Sequence, residues 1–152
     1  MNIIKNYLPE NIPCDTKQYF DKGNPSVITI HWIGPYPSQS PDDVRNWWIK
    51  SNGEASAHYI IKNDVCMQCV PDNKIAWHAG CKVGNHNSIG IEVIPCDEAG
   101  RFSDKSINTL KALLDTFPKM PVVRHFDWTG KDCPKFYCNS DEWNKLLKRL
   151  GR

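Results

Sequence analysis

The chain has 152 residues, 40% of them hydrophobic and 24% charged, and a net charge of +2. That length buries a core without disulfides or oligomerisation, so one domain acting as a monomer is expected. The charge is too small to point to nucleic acid, and no stretch has the length or apolarity of a signal peptide or a bilayer span. Synthesis and retention in the cytoplasm, unless another factor releases the protein, is the expectation. Seven cysteines leave at least one thiol unpaired, and in a reducing compartment no disulfide framework is expected.

Residues 1–25, interrupted by Pro9, Pro13, Gly23 and Pro25, read as an irregular extension packed on a domain over residues 26–152. Val27 to Trp32 is the first core strand. Ser40-Pro41-Asp42-Asp43 has a capping serine, a proline for the first turn and an acid at the capping-box position. It starts a helix that runs through Trp47 and Trp48 to a stop at Asn52-Gly53. Strands follow at Ala57–Lys62 and Cys66–Val70, divided by Asn63-Asp64, and then a loop from Trp77 to Asn87. Ser88–Ile94 alternates, with Ile89, Ile91 and Val93 on one face and Gly90 and Glu92 on the other. Ile107, Leu110, Leu113, Leu114 and Phe117 form a helical stripe from Asp104, halted by Pro118. A last strand reaches His125. A closing amphipathic helix is capped by Asn139 or Ser140 and ended by Gly151. The order β-α-β-β-β-α-β-α predicts an α/β fold, a single-domain mixed sheet flanked by helices.

Chemistry concentrates at the strand ends. His31 closes the first strand, His125 closes the last, and Cys133 follows eight positions later with Lys131 between. Three nitrogen and sulfur ligands with an open position describe a catalytic zinc, whereas a structural zinc takes four. Singly, each residue has an ordinary reading: a hydrogen-bonded histidine, one cysteine of seven, a solvated lysine. Glu92 is either an edge-strand carboxylate facing water or a general base whose pKa burial raises. Cys66, Cys69, His78 and Cys81 offer a competing structural zinc. Against it, residues three apart on a strand face opposite ways.

Five segments together carry a resemblance. Ile28-Thr29-Ile30-His31-Trp32, Ser56-Ala57-His58-Tyr59-Ile60-Ile61, Ala76-Trp77-His78-Ala79-Gly80, Asn87-Ser88-Ile89-Gly90-Ile91-Glu92 and Arg124-His125-Phe126-Asp127 through Lys131-Asp132-Cys133-Pro134 occur in one order. The chain resembles the type 2 N-acetylmuramoyl-L-alanine amidases, the fold of phage lysozyme-amidases, wall-recycling amidases and peptidoglycan recognition proteins. The likeness covers about residues 26 to 150.

The resemblance implies Zn2+ held by His31, His125 and Cys133, with Glu92 and Lys131 as catalytic residues. Ala57 stands where the phage type has a catalytic tyrosine, so the proton-carrying role passes to Glu92. Trp77 and His78, with Asn85 and Asn87, are implied beside the substrate cleft. The expected reaction is hydrolysis of the lactyl–L-alanine amide of peptidoglycan or a muropeptide. The expected setting is a phage endolysin released by a holin-type partner. Alternatives are a cytoplasmic recycling amidase, a non-cutting muropeptide-binding module and a structural-zinc interaction protein. Among the tryptophans, Trp32, Trp77 and Trp128 are nearest the motifs, while Trp47, Trp48 and Trp143 read more as core.

Overall fold

Residue parity along the strands divides this protein into two faces, and one of them carries the site. The computed structural model describes residues 2–10, 12, 17–51 and 53–152. Its strands are β1 (Ile3–Lys5), β2 (Val27–Trp32), β3 (Tyr59–Lys62), β4 (Val65–Gln68), β5 (Ser88–Val93) and β6 (Val122–Arg124). They form a six-stranded sheet ordered β1-β4-β3-β5-β2-β6. Among these six strands only β3 and β4 pair antiparallel; their link is the predicted Asn63-Asp64 turn, with Asn63 at φ 51°. The helices are α1 (Pro41–Lys50), α2 (Lys82–Asn87), α3 (Asp104–Leu114), α4 (His125–Thr129) and α5 (Ser140–Leu150), with a 3-10 turn at Lys135–Cys138.

Ile28, Ile30, Tyr59, Ile61, Ile89, Ile91 and Val93 point to one side of the sheet. There they pack on Leu110, Leu113 and Leu114 of α3 and on Trp143, Leu146 and Leu150 of α5. The alternate residues face the other way. Ile60 and Met67 meet Val44 and Trp48 of α1 in a second core. Removing this apolar surface from water on both sides is what holds the sheet between helices, at roughly 25 cal/mol per Å2 buried. Cys66 falls in the first core and Cys69 in the second. The two thiols therefore cannot share a metal with His78 and Cys81, and the competing structural zinc is not assembled.

The capping box forms as predicted: Ser40 Oγ accepts from Asp43 N–H at 3.2 Å and the Ser40 N–H donates to Asp43 Oδ2 at 2.8 Å. Helix α1 ends at Lys50 with Ser51 as its cap; the expected stop residue Asn52, like Pro13, lies outside the described residues. Helix α5 is capped by Asn139, whose Oδ1 accepts from the Asp141 and Glu142 N–H groups, and Gly151 ends it in the left-handed region.

Three elements differ from the sequence reading. Ile3–Lys5, expected to be irregular, pairs parallel with β4 as an edge strand; three residues with Ile4 exposed carry no readable alternation. Lys82–Asn87 is a helix where a loop is expected. Its Gly, His and Asn residues are poor helix formers, but Gly84 packs its bare Cα against Ala79 and Trp128. His125–Thr129 is also helical. Its start is held by Asp127, whose carboxylate accepts the Arg124 N–H at 2.7 Å.

Candidate active site

Parallel register sets His31 of β2 beside Glu92 of β5, on the face away from α3 and α5. Because β5 lies between β3 and β2, Glu92 sits on a central strand and not at an edge. His125 enters from the neighbouring side, at the junction of β6 and α4. Gly130 ends α4 with φ 75°, which turns the chain back. The Phe126 N–H then donates to the Cys133 carbonyl at 2.9 Å. That backbone bond closes the loop and returns Cys133 to the histidines.

The result is a buried triad. His31 Nδ1 lies 3.1 Å from His125 Nδ1 and 3.7 Å from Cys133 Sγ. One ligand atom from each of the three residues falls within 4.8 Å of the others. Among the described residues this is the one such group of histidines, cysteines and carboxylates. Burial holds His31 well below the ordinary imidazole value, helped by its neighbours His78 and His125. Burial also holds His125 down at about 4. Both rings are therefore neutral and have a lone pair to give. Burial pushes the Cys133 thiol up, and the nearby Glu92 carboxylate adds to this. A cation at the triad would reverse that and favour the thiolate. Two neutral imidazoles, one soft sulfur and no fourth protein ligand among the described residues fit a divalent metal with an open position.

The triad forms the floor of a cleft of about 480 Å3. Glu92 and Lys131 line it with the triad, and Tyr36, Trp47 and Trp77 stand exposed along it. Glu92 Oε2 is shut off from water and has no hydrogen-bond partner among the described residues. Burial raises that carboxyl to about 8, with the Lys131 ammonium pulling the other way. A carboxyl raised in this way can exchange a proton near neutral pH. Lys131 is exposed on the loop before Cys133, and its charge reaches His31, His125 and Glu92 alike.

The four residues expected beside the cleft divide into two pairs. Trp77 and His78 line it. Asn85 instead directs its Oδ1 to the His78 and Ala79 N–H groups at 2.9 and 2.7 Å. Asn87 donates from its amide to the Val83 carbonyl within α2. The tryptophans also divide. Trp128 donates its indole N–H to Thr29 Oγ1 at 2.9 Å and is not part of the cleft lining. Trp47, expected as core, is 57% exposed at the rim, while its neighbour Trp48 is buried. Adjacent helical residues lie about 100° apart, close enough for both to face one core, as Leu113 and Leu114 do, so spacing alone does not separate Trp47 from Trp48.

The fold agrees with the comparisons. A family model described as N-acetylmuramoyl-L-alanine amidase matches residues 21–136, and the chain belongs to this family. Among named relatives, the N-acetylmuramoyl-L-alanine amidase CwlH of Bacillus subtilis (strain 168) is 29% identical over 137 residues, covering 84% of this chain and 53% of the relative. XlyA of the same organism is 30% identical over 160 residues, covering 99% of this chain and 52% of its own. The chain thus spans about half the length of the curated relatives it matches. The solved catalytic domain of XlyA superposes with a TM-score of 0.78 at 25% identity, covering 99% of each chain. A mutant endolysin from Bacillus subtilis gives 0.76 at 25% identity, again with 99% of each chain covered.

Proposed function

We propose that this domain is a zinc-dependent N-acetylmuramoyl-L-alanine amidase that hydrolyses the lactyl–L-alanine amide of peptidoglycan, and that it works as an endolysin. The observation that carries the reading is the buried His31, His125 and Cys133 triad at the floor of a cleft, with the unpartnered Glu92 Oε2 facing the same space. His31, His125 and Cys133 would hold the metal. A bound zinc ion would supply Lewis acidity to the amide carbonyl and to water.

The chain's own residues do the rest. Glu92, near neutrality, accepts the proton of the attacking water and returns it to the departing alanine nitrogen. Its burial makes the protonated form accessible at working pH, so one carboxyl serves as base and then as acid. Lys131 presents a positive charge where negative charge builds on the carbonyl oxygen. Ala57, buried in the second core, brings no phenol to the site, which leaves the proton transfer to Glu92. Tyr36, Trp47 and Trp77 offer flat apolar surfaces to sugar rings or stem peptide. The endolysin role is supported by the likeness to a solved endolysin, and among the described residues no helix is long and apolar enough to cross a membrane.

Purified peptidoglycan tests the whole reading. New L-alanine amino groups should form, should stop with a chelator and should return when zinc is added. New reducing sugars in their place would mean a glycosidase. Binding without cleavage would mean a recognition module. His31→Ala should lose zinc and turnover together, and unchanged metal content would overturn the ligand assignment.

A further inference from the structure

His78, expected beside the substrate, lines the cleft and is also hydrogen-bonded towards the triad. Its Nε2 lies 3.2 Å from the Ser88 carbonyl oxygen. A carbonyl only accepts, so His78 Nε2 bears the proton. A neutral imidazole has one N–H, which leaves His78 Nδ1 as an acceptor. His31 Nε2, 2.9 Å from that atom, must then be the donor. It follows that His31 carries its proton on Nε2 and has a bare Nδ1. That bare nitrogen is the atom facing His125 Nδ1 at 3.1 Å and Cys133 Sγ at 3.7 Å.

We infer that His78 is a positioning residue, which fixes the tautomer and ring orientation of His31 so that the Nδ1 lone pair points into the triad. The information runs from the Ser88 carbonyl through two rings to the ligand atom. Partners of this kind orient metal-binding histidines, and losing one typically weakens metal affinity by about 10–100-fold.

Three features of the fold serve this arrangement. Gly90 on β5 leaves room for the ring, since a Cβ there would lie 2.4 Å from His78 Cγ. Asn85 Oδ1 holds the His78 N–H at 2.9 Å and so fixes the backbone from which the ring projects. The His31 and His78 rings meet edge to face, with centroids 5.0 Å apart at 86°. The 2.9 Å between His31 Nε2 and His78 Nδ1 is the contact that joins the two rings.

Two measurements decide the matter. Ring nitrogen NMR shifts of the metal-free wild-type protein should show His31 protonated on Nε2 and His78 protonated on Nε2. A His31 proton on Nδ1 would overturn the inference with no variant needed. Zinc affinity should then be measured by chelator competition in His78→Leu and His78→Asn. Leu offers no acceptor and should weaken zinc about 10–100-fold. Asn sets an amide oxygen where Nδ1 was and should recover most of the loss. If Asn binds zinc no better than Leu, with both folded by circular dichroism, His78 is only a packing residue. The affinity arm rests on the zinc reading above, whereas the NMR arm does not, so the two can fail separately.

Discussion

Acidifying the chelator-treated protein tests whether the buried imidazoles are neutral in the folded state. His58 is fully enclosed and His78 is 7% exposed. Burial holds them down at about 4 and about 3, against 6.5 in an unfolded chain. With folded values depressed, the unfolded chain takes up protons first as pH falls. The stabilisation is fully present above 6.5 and is lost on the way down to the folded values. Each group then contributes a slope of about 1.4 kcal/mol per pH unit, so the pair should remove about 3–4 kcal/mol between pH 6 and pH 4.5. The carboxylates of Asp43, Asp97 and Asp115, whose hydrogen bonds lower their values, titrate below this window. His31 and His125, held low in the same way, add to the loss in the metal-free protein, and the raised Glu92 carboxyl offsets part of it. Urea midpoints across the window therefore assign each share only by comparing variants. His58→Asn retains an acceptor for the Gly90 N–H, which His58 Nδ1 now takes at 3.0 Å. It should reduce the loss by roughly 1.7 kcal/mol, the share of His58 alone. If parent and variant lose stability in parallel, His58 is already protonated when folded and the reasoning is wrong.

Three further outcomes follow from the site. Glu92→Gln should retain zinc while turnover falls about 10²–10⁴-fold. Because burial raises Glu92 to about 8, its ionisation costs stability increasingly above pH 4.5 and most above 8. The neutral variant should therefore gain on the metal-free parent between pH 5 and pH 9 in thermal scans, and a constant difference would remove the buried carboxyl from the argument. Gly90→Ala forces a methyl into the His78 ring and should destabilise by about 1–3 kcal/mol, read by urea titration; a silent substitution would mean that the ring is not packed there. Trp47→Ala should leave stability within about 0.5 kcal/mol but raise KM for peptidoglycan fragments about three- to tenfold, the worth of one aromatic contact. An unchanged KM would remove the rim from substrate binding.

Much of the site was legible because its residue types are chemically scarce on their strands. A histidine ending the apolar run Val27–Ile30 and a glutamate inside Ser88–Ile94 are unfavourable to bury without purpose. Alternation alone set Ile89, Ile91 and Val93 against Gly90 and Glu92, and the sheet keeps that division. Helices α1, α3 and α5 were readable from caps and stripes, since both are local in sequence. Helices α2 and α4 were not. Each is stabilised by contacts from elsewhere in the chain or by an unusual cap, which helix propensity does not record.

The amino-acid sequence by itself determined the donor chemistry, the core strands with the faces they present, and the family. Local periodicity and residue type suffice for these, because they depend on neighbours a few positions away. Only the tertiary structure decided that Glu92 stands on a central strand beside His31, that Trp47 is rim and not core, and that His78 bonds to His31. Those facts depend on strand order and on the return of one loop through the Phe126–Cys133 backbone bond. They join residues 47 to 102 positions apart, a separation over which side-chain pairing leaves no periodic trace in the chain.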